Sequence, residues 1–126
     1  MSQQIGVLDI TRKAEKDLSS GQYHFVRMGG AAGRVDVCND GSDLVLGVLQ
    51  NKPNAVNKLC AIRVMGTTKV ICGDTVAEMS RVGTSSVGKC VVETVDGALV
   101  AGIALEAGVA GDVIEILLTP AAQRAL

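Results

Sequence analysis

Gly, Asn or Asp interrupts the chain roughly every 8 to 12 residues, and between these breaks the apolar residues are β-branched and spaced with the period of a strand. That rhythm disfavours long amphipathic helices and predicts an all-β fold. About eight strands are expected, at 5–12, 22–28, 34–38, 44–50, 59–65, 68–72, 90–95 and 99–105, with a further run at 112–118. Asn39-Asp40-Gly41 and Asp96-Gly97 offer the left-handed backbone positions that tight hairpins need, and Met65-Gly66-Thr67 reads as a link of the same kind. Only two segments have helical character. One is 74–81, which is capped but short; the other is the tail 119–126, where Thr119-Pro120 supplies an N-cap and a proline at the first helical position.

The two halves repeat one another when offset by about 55 residues. Asn39-Asp40-Gly41 and the run 44–48 parallel Val95-Asp96-Gly97 and the run 99–103, and 58–62 parallels 112–116. Two such halves close into one compact single-domain barrel or pack as a sandwich, and either arrangement removes exposed sheet edges. In that frame Gly41 and Gly97 serve turns, while Gly47 and Gly102 mark bulges or close backbone approach inside strands. At 126 residues the chain has the size of one domain, with 1–10 as an arm or first strand. It is long enough to hold a core without disulfides or metals.

That core must be aliphatic, because 48% of the residues are hydrophobic yet there is no Trp, one Tyr and one Phe. Few aromatic platforms and 12 basic against 13 acidic residues argue against nucleic acid as a partner. There is no run of 18 apolar residues and no basic, apolar leader, so a membrane partner is not expected and synthesis in a cytoplasm is. Cys38, Cys60, Cys72 and Cys90 each lie in an apolar run without metal or redox spacing. They read as buried free thiols, with disulfides as the alternative. His24 is the one histidine, sits in a strand-like run, and reads as structural.

Gly83-Thr84-Ser85-Ser86-Val87-Gly88-Lys89 has the spacing of a phosphate-binding P-loop, GxxxxGK. Cys90 stands where such a loop needs Ser or Thr for magnesium, and the β-branched run after it disfavours the required helix. A glycine- and serine-rich loop between strands is the better reading. The carboxylates Asp36, Asp40 and Asp43, and Glu106 with Asp112, gather around turns, where a solvated surface role is expected rather than glycosidase chemistry. No catalytic residue, cofactor site or metal site is expected, and no enzymatic activity.

The run from Leu46 to Pro53, the alternating run from Ala61 to Val70, the step Cys72-Gly73-Asp74, and the closing pattern from Gly102 to Asp112 resemble the small capsid decoration, or cement, proteins of tailed bacteriophages. The likeness covers roughly residues 21–118. It implies a β-rich structural virion protein, made in the bacterial host cytoplasm, that docks on the outer surface of the assembled head and reinforces the major capsid protein lattice. It also implies a homo-oligomer, with a trimer favoured, and a capsid-contacting arm at Ser2, Gln3, Gln4 and Ile5, which is very short here. The alternative function is an adhesion or tail-associated module that binds a receptor or carbohydrate; Tyr23 and Phe25 are its only aromatics for sugar stacking.

Overall fold

β-Branched residues pack well on a pleated surface, and here the alternating runs become strands wherever one face finds a core. The computed structural model describes residues 6–41, 43–94 and 99–118. Among them are nine strands and no helix: β1 (Gly6–Ala14), β2 (Phe25–Met28), β3 (Arg34–Val37), β4 (Gly47–Leu49), β5 (Leu59–Ile71), β6 (Arg81–Thr84), β7 (Cys90–Val92), β8 (Gly102–Ala104) and β9 (Val113–Leu118). The strand order is β1-β3-β2-β4-β5-β9-β8-β6-β7, with β1 also paired to β5.

Pairing extends the sequence repeat to the strands that flank it. In the first half Val26 pairs with Gly47 and Val37, and Val48 with Arg63. In the second half the corresponding pairs are Val82 with Gly102 and Val92, and Ile103 with Leu117. The first half curls closed through two parallel residue pairs of β1 and β3, including Ala14 with Val35; its counterpart is the isolated parallel bridge between Cys72 and Cys90. Such narrow closures do not make regular barrels, and the molecule is sandwich-like. Even the left-handed backbone positions recur: Tyr23 and Met79 have φ of 64° and 68°, Gly33 and Gly88 of 75° and 78°, Asn57 and Gly111 of 67° and 92°.

Two apolar clusters form the interior. The first half fills its own with Ala14, Leu18, Val26, Val35, Leu49, Cys60, Ile62 and Val64. The second half contributes the matching set, from Val70 and Cys72 to Ile116 and Leu118, but its cluster also takes in Phe25, Cys38, Val45 and Val48 from the first half. Phe25-Val26 at the start of β2 and Val48-Leu49 in β4 are therefore buried on both faces, one side chain of each pair in each cluster. This junction is joined by main-chain bonds as well: Phe25 N–H donates to Gly88 O at 2.8 Å, and Ile71 N–H donates to Tyr23 O at 3.0 Å.

Several sequence expectations are corrected. Met65-Gly66-Thr67 is no hairpin, because β5 runs straight through it. Its first part pairs with β1 and β4 and its last part with β9, and Gly66 (φ 98°) supplies the bend between the two sheets. Asn39-Asp40-Gly41 does not join paired strands either, since β3 and β4 both flank β2. Gly41 is not among the positive-φ glycines; the Asp43 carboxylate instead accepts from the N–H groups of Asn39 and Asp40 at 2.9 and 3.1 Å. The segment 74–81 forms no helix: Val76 bridges to Gly108, Met79 sits in a turn, and Arg81 begins the unexpected strand β6. The turn at Val95-Asp96-Gly97 and the tail 119–126 lie outside the described residues.

Candidate protein-interaction surface

The P-loop-like motif folds as the hairpin between β6 and β7, with Gly83 and Thr84 already inside a strand. Four of its N–H groups are spent internally. Ser85 N donates to Lys89 O at 2.8 Å. Val87 N and Lys89 N both donate to Ser85 Oγ, at 3.2 and 3.1 Å, and Gly88 N donates to Ser85 O. Those four are therefore turned inward to the hairpin rather than arrayed around a phosphate.

The four cysteines are free and buried. Burial pushes the Cys38 thiol up to about 12 despite a bond from Thr84 that pulls the other way, and pushes Cys90 higher still, so neither is poised as a nucleophile. His24 Nδ1 lies 3.0 Å from Gln22 O. Among the described residues no three His, Cys, Asp or Glu side chains gather as a metal site.

Asp36 is a correction, because it lies in β3 almost fully buried, with one oxygen accepting from Val37 N at 2.7 Å and the other 3.3 Å from Lys16 Nζ. Two further carboxylates accept from main-chain N–H groups. Glu106 accepts from Glu115 N at 2.8 Å and Asp112 from Val109 N at 2.9 Å. Gly47 and Gly102 occupy twin places where a side chain would drive into the carbonyl oxygens of Arg63 and Leu117. Gly97 and the arm Ser2, Gln3, Gln4 and Ile5 lie outside the described residues.

What remains is surface, and its apolar part is not evenly spread. Val7, Leu8 and Met65 are 72, 46 and 45% exposed where β1 meets the bend of β5, beside the Arg63–Asp9 ion pair at 2.9 Å. Beyond the bend, Leu117 pairs with both Thr67 and Ile103, which extends the apolar surface across β9 onto β8. There an open groove of about 600 Å³ is lined by Met79, Ser80, Arg81, Val92, Glu93, Thr94 and Ile103. Met79 is 68% exposed and holds a left-handed backbone that bulky residues rarely adopt. Burial raises the Glu93 carboxyl above its ordinary range. The sequence reading missed this groove. Strand pairing exposes it: Arg81 stands opposite Ile103 as Phe25 stands opposite Val48, and Glu93 N–H donates to Arg81 O as Cys38 N–H donates to Phe25 O, so two charged residues occupy the places of two apolar ones.

No protein-family model matches the chain, and a search of curated proteins returns no match. Among solved structures, the chain is similar to the crystal structure of the head fiber gp8.5 N base of bacteriophage phi29. The TM-score is 0.74 at 13% identity, and the match covers 94% of this chain and 97% of that one. At this identity the likeness establishes a shared fold.

Proposed function

We propose that this chain is a non-catalytic structural protein of a tailed-phage virion, which binds the outer surface of the assembled head and stabilises the major capsid protein lattice. The observation that carries the proposal is the end-to-end likeness of its fold to the base of a phage head fiber. Its surface is consistent with this role. Apolar residues spread over β1, β5, β9 and β8 suit contact with protein, and 12 basic against 13 acidic residues leave little net repulsion from neighbouring copies. The homo-oligomer is a trimer. Several weak contacts made at once by such an assembly favour a shell, where capsid subunits are held in fixed geometry, over a free subunit.

The test is to mix the protein with matched expanded empty heads, sediment them, and count copies per head. Saturable binding at a symmetry-related number of sites is expected, together with greater resistance of the loaded heads to heat, since a ligand that binds only the assembled state stabilises it by mass action. Equal binding to free capsid subunits, or no gain in head stability at saturation, overturns the proposal.

A further inference from the structure

The junction between the halves has an unused twin. In the formed junction the Gly88 turn sits on β2 so tightly that a Cβ at Gly88 would collide with Val37, stand 3.0 Å from Phe25 O and lie 3.4 Å from the His24 Cβ. The repeat carries His24, Phe25 and Val37 onto Ser80, Arg81 and Val92, and all three of these line the open groove. It carries Gly88 onto Gly33, which has the same left-handed backbone, is exposed, and has no atom within 4 Å of the position its Cβ would take. It carries Ile71 onto Lys13, whose N–H makes only a long 3.3 Å bond to Gly33 O. Within one chain the twin turn and the twin groove do not meet, because the groove is lined by second-half residues alone.

We propose that a second copy of this chain makes the missing contact: the Gly33 turn of one copy seats in the Met79–Arg81–Ile103 groove of the next, with Gly33 O accepting from Arg81 N–H. The contact joins two different surfaces, so repetition closes into a ring or runs on as a filament, and a three-membered ring is the closed form consistent with the proposed trimer. Arg81 and Glu93 stand where the formed junction buries Phe25 and Cys38. A wetter seat of this kind suits chains that fold first and associate afterwards.

Purified protein without heads tests this independently of shell binding. Light scattering on a sizing column should give wild type a mass of more than one chain. Gly33→Asn keeps the fold, since Asn tolerates left-handed backbone and the site is open, but its Cβ should clash inside the groove. Ser80→Trp should fill the groove from the other side. Each variant alone should fall to the mass of a single chain with an unchanged circular dichroism spectrum. An equimolar mixture should return to a two-chain species, because one intact turn then meets one intact groove. Monomeric wild type, variants that keep the wild-type mass, or folded variants that fail to complement each other overturn the proposal. Should Ser80→Trp not fold, Gly33→Asn decides alone, and an unchanged mass refutes the contact.

Discussion

Truncating Phe25 tests whether the first half plugs the core of the second. Phe25 is the chain's one phenylalanine, fully buried in the cluster built mainly by the second half, and its repeat-related twin is Arg81 on the groove. Phe25→Ala removes the largest side chain of that cluster, and such truncations cost about 3–5 kcal/mol. An unfolding entropy near 2.1 cal/mol/K per residue amounts to roughly 0.26 kcal/mol/K for 126 residues. The melting temperature should therefore fall by about 11–19 °C. Arg81→Ala, at the same place in the other half, is exposed within one chain and keeps the Arg81 main chain intact, so it should cost the fold of that chain no more than about 0.5 kcal/mol, or roughly 2 °C. Thermal melts followed by circular dichroism, with urea titrations to check that the m-value is constant, separate the two. A loss under about 1 kcal/mol for Phe25→Ala, or equal losses for both variants, would refute the plug.

Two further outcomes are expected. Gly47→Val and Gly102→Val should each destabilise by about 1–3 kcal/mol in urea titrations, because a side chain at either place drives into the carbonyl of the neighbouring strand; wild-type midpoints for both would contradict the close approach. For Glu93, a folded-state pKa raised by burial means that the native state keeps its proton to higher pH than the unfolded chain. Its contribution to stability is then present below the unfolded pKa and lost as pH rises through the folded one. Glu93→Gln should accordingly match wild type near pH 4 and exceed it in melting temperature near pH 7, and a difference independent of pH would rule out that cause.

The strands whose faces alternate cleanly were legible in the sequence. Leu59-Cys60-Ala61-Ile62-Arg63-Val64 and Val113-Ile114-Glu115-Ile116 read as strands because every second residue is buried. β6 was not legible, since Arg81-Val82-Gly83-Thr84 offers one aliphatic residue beside a glycine and draws its order from the pairing with β7 and β8. Gly66 misled for a related reason. A glycine between two alternating runs signals a hairpin locally, but here the two runs find different partners and the chain has only to bend. The groove gathers residues from β6, β7 and β8 and the turn before them, so no short motif marks it. The buried Asp36 was hidden too, because its neighbours Asp40 and Asp43 drew it into a surface cluster and Lys16 is distant in sequence.

The continuity of β5 through Gly66 has an evolutionary consequence. While two equal modules remain separate products of one gene, any substitution alters every copy of a face at once, and no face can specialise without changing all of them. Joining the modules in one strand removes that constraint. In such a joined chain the face carrying Phe25 and Cys38 can serve as an internal plug, while its twin, with Arg81 and Glu93, faces outward from the chain. Selection on cohesion and selection on outward contacts thus act on different codons, so residues of the open face can drift to suit new neighbours at little cost to the stability of the fold.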